Sequence, residues 1–168
     1  PYGYSQITDF LKSVAAVINK PVKEAILQRL EEKNRRLKML LNSPLMSRTP
    51  GTVFLKGDYD TVKGLGAFFK ELRFNVAHSV CTHKITGTAA EGIEYFKEEK
   101  EYLQLLKDVH HCLVLADEDT MAKADATNFK ICVSHPCFSH RTIANHLPFM
   151  GEWGADMLFE YIQQYVNM

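Results

Sequence analysis

From residue 52 onward, short runs rich in β-branched and aromatic residues alternate with longer segments whose apolar residues recur at helical spacing. The runs at 52–56, 74–80, 111–116 and 129–133 are too short for helices and lie among turn-forming residues, so they read as strands. The segments between them, 60–72, 89–107 and 118–126, read as helices. This alternation specifies a parallel sheet with helical crossovers. Right-handed crossovers bring the carboxyl ends of all four strands to one edge. The expected fold is therefore α/β and Rossmann-like, in the flavodoxin-like manner: a four-stranded parallel sheet flanked by helices. A last helix over 152–166 is expected to bury Ala155, Leu158, Ile162 and Val166 and to close the layer.

Two helices precede the sheet pattern. Ile7, Phe10, Leu11, Val14 and Ile18 share one helical face, with Ser5 as candidate N-cap and Asn19 to Pro21 as the break. Pro21 suits the first turn of a second helix, along which Val22, Ile26, Leu30, Leu37 and Leu41 line one face. Glu31/Arg35 and Glu32/Arg36 pair one turn apart on the other face, which reads as solvated. The expected division is a helical appendage over 1–50 and a Rossmann-like domain over 51–168. Because Pro1 leads straight into a helix pattern, the chain is expected to be part of a longer one.

Charge narrows the function classes. With 20 basic and 20 acidic residues among 168, no global field draws the chain to nucleic acid or to an anionic membrane. Cys81, Cys112, Cys132 and Cys137 form no CxxC pair, and no run reads as a secretory leader or a membrane span. Free thiols in the reducing cytoplasm are expected.

In open α/β sheets, ligands bind beyond the carboxyl ends of the strands. After the first strand comes Gly57-Asp58-Tyr59-Asp60, but Gly64 and Gly66 fall inside the following helix, where a phosphate loop would need them before it. A dinucleotide fingerprint is rejected. Asp58 or Asp60 reads as a helix cap, and the glycines as allowing close helix-to-sheet packing. Cys81 and His83 follow the second strand, Asp117 to Asp119 the third, and His135, Cys137 and His140 the fourth. Thiolates and imidazoles ligate zinc, iron or an iron–sulfur cluster. Their spacing matches no compact zinc motif, and a lone buried cysteine commonly serves as a small hydrophobe. No residue occupies a recognisable nucleophile elbow. Trp153, between Glu152 and Gly154, either packs in a core or interface or caps the ligand cavity.

The order of these segments resembles the last domain of the nitrogenase component-one family. That family includes the molybdenum–iron protein subunits, cofactor-assembly scaffolds and dark-operative tetrapyrrole reductases. The resemblance runs from Pro1-Tyr2-Gly3 and Thr8-Asp9-Phe10-Leu11 through Val53-Phe54-Leu55-Lys56-Gly57-Asp58-Tyr59-Asp60 and Gly64-Leu65-Gly66-Ala67-Phe68-Phe69-Lys70-Glu71-Leu72. It is most specific at the end. Pro136-Cys137-Phe138-Ser139-His140-Arg141 is similar to the family's Pro-x-Phe-Asp-Arg element, and Met150-Gly151-Glu152-Trp153-Gly154-Ala155 to its Gly-Tyr-x-Gly-Ala helix start.

The resemblance implies a domain of a nitrogenase-like oxidoreductase component that lines one wall of a metallocluster or tetrapyrrole cavity; dinitrogen reduction itself is not supported by these residues. It also implies electrons from a separate ATP-dependent iron protein, association with a like subunit, and an iron–sulfur cluster or related metallocofactor in the full-length protein. On this reading Asp58, Asp60, Cys81, His83, His135 and His140 contact the cofactor, and Cys81 and Cys137 are metal ligands. The isolated chain is not expected to be active. Three positions depart from the family's pattern: Met150 stands where a histidine cluster ligand is expected, Ser139 replaces the aspartate, and Glu152 replaces the tyrosine. A thioether is a poor substitute for that imidazole, which keeps open a non-catalytic cofactor carrier or assembly scaffold. A free-standing flavodoxin-like domain with a small-molecule ligand also remains.

Overall fold

The computed structural model describes residues 1–43, 51–87, 91–134 and 149–167. Its elements run α1 (Gly3–Ile18), α2 (Glu24–Leu41), β1 (Thr52–Gly57), α3 (Tyr59–Glu71), β2 (Asn75–Cys81), α4 (Glu99–Lys107), β3 (Leu113–Ala116), α5 (Glu118–Lys123), β4 (Phe129–Cys132) and α6 (Gly151–Val166). They form two compact units, Pro50–Asn145 and Pro1–Thr49 with His146–Met168.

In the first unit the strands form one parallel sheet in the order β2-β1-β3-β4. The central strands carry almost unbroken apolar runs because both faces are covered: Val53, Phe54 and Leu55 of β1 and all four residues of β3 are buried. Phe54, Val80, Val114 and Ala116 form one cluster with Tyr102 and Leu106 of α4 and with Ala124. α3 packs on β1 and β2, with Val62, Leu65 and Phe69 buried. β1 and β2 change register between Val53 and Phe54, and Ala77 is the extra residue between the partners Val76 and His78.

The sequence reading begins the helix before β3 near residue 89; it begins at Glu99 instead. Residues 91 and 92 form a turn, and Glu94 makes a parallel bridge to Val80, with Cys81 N–H donating to Glu94 O at 2.8 Å and Glu94 N–H to Ser79 O at 2.7 Å. The edge of β2 thus takes up backbone that the apolar spacing assigns to a helix.

The second unit holds α1, α2 and α6. α6 packs on α1, whereas the sequence reading has it closing the sheet's layer. α1 starts at Gly3, with Tyr2 at the N-cap and its N–H on Gln6 Oε1 at 3.1 Å, so Ser5 lies inside the helix. α2 starts at Glu24, beyond Pro21. Glu32 pairs with both Arg35 and Arg36, while Arg29 and Lys33 reach α6: Arg29 meets Glu152 at 2.7 Å, and Lys33 meets Glu152 at 2.9 Å and Asp156 at 2.7 Å. The charges of α2 are therefore partly a helix-joining network. Tyr4 completes it by donating to Asp156 at 2.8 Å; burial, then that bond, push its phenol far above the ordinary range. Trp153 is 57 % exposed and belongs to no core in this unit.

At the start of α6 a Cβ on Gly154 would lie 2.3 Å from the Phe149 carbonyl carbon. Phe149 is itself buried and stacks edge-on with Tyr161. Gly154→Ala is therefore expected to destabilise the helical unit by about 1–3 kcal/mol through backbone overpacking. Gly66→Ala, whose Cβ would meet Leu55 and Ser79 at 3.6 and 3.9 Å, is expected to stabilise the protein by about 0.5–1 kcal/mol through reduced chain entropy. Urea denaturation of the two variants, followed by circular dichroism, checks both signs.

Candidate functional site

The connection that leaves β1 runs to β2 on one side, and the connection that leaves β3 runs to β4 on the other. The point between β1 and β3 is the topological switch, where an open α/β sheet leaves a crevice beyond its strand ends. Three chain segments meet there at Gly57. Gly57 stands opposite Cys81, a pairing that follows from the register change at Ala77, and its carbonyl accepts from Thr82 N–H at 2.9 Å. From the other side, Val133 N–H donates to Ala116 O at 2.9 Å and Ser134 Oγ to Lys56 O at 3.3 Å. The chain leaving β4 thereby crosses the end of β3 and reaches β1. A Cβ on Gly57 would lie 3.3 Å from Ser134 Cβ, so the glycine permits this approach.

Beneath these loops lies an ion pair. Lys56 Nζ donates to Asp117 Oδ2 at 2.9 Å and to Thr120 Oγ1 at 2.7 Å, and stands 4.2 Å from the centre of the Tyr102 ring. Its side chain is 13 % exposed and that of Asp117 3 %. Two donors go to oxygen and the π face takes the remaining side of the ammonium, so Lys56 is engaged inward. Asp117 also caps α5, accepting from Thr120 N–H at 2.8 Å and from the Thr120 hydroxyl at 2.9 Å. Burial pushes its carboxyl up, but the Lys56 ammonium and the Thr120 bonds outweigh burial and hold the pKa below the ordinary aspartate value.

The proposed residues that are described lie along this edge. Asp58 caps α3, accepting from Thr61 N–H at 2.9 Å, and is exposed. Asp60 is exposed in the first turn of α3. Cys81 ends β2 and is 2 % exposed, whereas His83 is exposed with its ring 3.2 Å from the Thr82 hydroxyl. His135, Cys137 and His140 lie outside the described residues, though the segment carrying them begins at Ser134, on Gly57. Cys112 and Cys132 are buried; burial raises the Cys112 thiol, which donates to His110 O at 3.0 Å. Lys56, Gly57 and Ser134 escaped the sequence reading as site-shaping residues. The available signal was a single cation inside an otherwise apolar strand.

Both helices that open at this edge are capped by their own aspartates, which fill the place an anionic ligand would take. Among the described residues no group of three or more His, Cys, Asp or Glu could hold a metal ion. Cys81 and His83 alone, one a buried thiol and the other an exposed imidazole beside a hydroxyl, do not fit a cluster. What the edge offers is three chain segments rooted at one glycine above the paired Lys56 and Asp117.

The class of protein so defined is a Rossmann-like parallel α/β domain accompanied by a helical unit. No protein-family model and no curated protein matches the sequence. A solved structure described as nitrogenase Cp1 at pH 6.5 shares the fold with a TM-score of 0.74 at 19 % identity, over 99 % of this chain and 38 % of that one. The chain thus has the fold of a nitrogenase component-one domain and spans well under half the length of that chain. No helix among the described residues is long and apolar enough to cross a membrane.

The Lys56–Asp117 pair carries a pH signature. A folded-state pKa below the unfolded one means the stabilisation is complete above the unfolded pKa and is lost as pH falls through the folded value. Stability is expected to fall between pH 7 and about pH 3, and Asp117→Asn to flatten that dependence. Lys56→Met, which leaves the carboxylate buried and unpaired, is expected to cost about 3–5 kcal/mol at pH 7. Urea midpoints at both pH values check the sign and the size.

Proposed function

We propose that this chain is a domain of a nitrogenase-like oxidoreductase component, lining one wall of a metallocluster or tetrapyrrole cavity with its strand-end loops. The convergence of three such loops on Gly57 at the switch point is the observation that carries this reading. The fold shared with nitrogenase Cp1 supports it. In this reading Asp58, Asp60, Cys81, His83, His135 and His140 contact the cofactor, and Cys81 and Cys137 contribute ligands to an iron–sulfur or related centre completed by other parts of the protein. The bound group supplies electron transfer. The residues of this chain orient it and tune it through hydrogen bonds and charge. A separate ATP-dependent iron protein delivers the electrons, a like subunit completes the assembly, and the protein works in the cytoplasm without nucleic acid.

A second reading, a cofactor carrier or assembly scaffold without catalysis, is favoured by Met150. This residue stands at the N-cap of α6, 44 % exposed, and offers only a thioether where the family resemblance expects an imidazole.

Iron and acid-labile sulfide analysis with electron paramagnetic resonance tests the metal reading on protein purified and reconstituted without oxygen. Iron and sulfide retained by the native chain, and lost in the Cys81→Ala/Cys137→Ala double variant, is the expected result. Equal iron in both proteins would remove these thiols from the ligand set. No iron in either would overturn cluster binding by this chain and leave the carrier reading.

A further inference from the structure

We propose that the groove between α3 and the outer side of β2, away from the strand-end crevice, is a binding site for a small organic anion with an apolar body. The groove encloses about 540 Å³, within the range of small-molecule sites. Its floor is Gly66, in the middle of α3, where glycine weakens a helix relative to alanine. Packing does not demand that glycine, since an added Cβ would make ordinary contacts with Leu55 at 3.6 Å and Ser79 Oγ at 3.9 Å. What the missing side chain does is leave the Ser79 hydroxyl open to the groove.

Ser79 is only 8 % exposed, and its hydroxyl has no hydrogen-bond partner among the described residues. No fully sealed side-chain oxygen or nitrogen there lacks a partner, so this hydroxyl retains access to the groove it lines. A buried hydroxyl with unused bonding capacity favours a polar ligand atom.

Charge sets the ligand's class. Lys63 and Lys70 line the groove from α3, seven residues and so about 10 Å apart along the helix. Lys63 is tied to the Tyr59 hydroxyl at 2.6 Å, while Lys70 is exposed and has no partner among the described residues. Ala67 and Ile93 supply apolar wall, and Glu91 lines the groove as well, confining an anionic end to the α3 side. The ligand therefore has an anionic head for Lys70, a body that lies over Gly66 and Ala67, and a polar atom for Ser79. Carboxylate and phosphate heads share this chemistry.

Amide-resolved nuclear magnetic resonance titration of the full chain with benzoate, phenyl phosphate and benzylamine tests the site. The expected result is saturable shifts at residues 62–70, 79 and 91–93 with at least one anion, and none with the amine. The stronger anion identifies the head group. Lys70→Gln is expected to weaken that anion about tenfold, the scale of one hydrogen bond to a charged group, and Ser79→Ala to weaken it further. Gly66→Ala, which keeps the helix and covers Ser79, is expected to weaken it without loss of fold. Equal binding of benzylamine, shifts outside these residues, no saturation with either anion, or unchanged affinity in Lys70→Gln and Gly66→Ala would each overturn the proposal.

Discussion

An ammonium largely withdrawn from water has to be paired, and in this domain that requirement falls on Lys56. The cation sits at the carboxyl end of a central strand, so its partners must come from elements distant in sequence. Asp117 and Thr120 come from the end of β3 and the start of α5, and Tyr102 comes from α4. One carboxylate thus caps a helix and neutralises a strand. The ends of β1 and β3, the two strands that border the switch point, are held to each other by more than their ladder. Gly57, the next residue, inherits a fixed position, and the segments beginning at Thr82 and Ser134 are fastened to it or to its neighbour's carbonyl.

This arrangement separates the roots of the strand-end loops from their tips. The roots are determined by backbone bonds and a buried charge, neither of which depends on what is bound. Helix dipoles are already used by Asp58 and Asp117, so a ligand at this edge would be met by side chains on the loops and not by the helix N-termini that hold phosphate in many α/β sheets. A scaffold of this kind tolerates exchange of its ligand-contacting residues without rebuilding the sheet, which is how one fold comes to serve different cofactors.

The sheet was legible because its signals are local. Apolar runs such as Val53-Phe54-Leu55 and Leu113-Val114-Leu115 have strand length and lie between turn residues, and Asp58 reads as a cap from its place before a helical pattern. Misreadings arose where a distant partner decides the outcome. Ile93, Tyr95 and Phe96 have spacing compatible with a helix, yet Glu94 finds an unpaired edge at Val80. The face of α6 does not reveal which neighbour will cover it, and α1 does so. Lys56 ends a strand pattern, and nothing near it in sequence announces that Asp117, Thr120 and Tyr102 converge there.

Glu152 departs from the tyrosine of the family pattern, but its carboxylate is occupied by Arg29 and Lys33 of α2, so that departure serves the helical unit's own cohesion. Beside it stands Trp153, the chain's single tryptophan and one of the most exposed large hydrophobic side chains among the described residues. An indole so placed emits at the red end of its range and is open to aqueous quenchers. The protein therefore carries, in the first turn of α6 and just beyond residues 135–148 in sequence, a built-in optical reporter: a blue shift would register a partner covering that surface, with no label to perturb it.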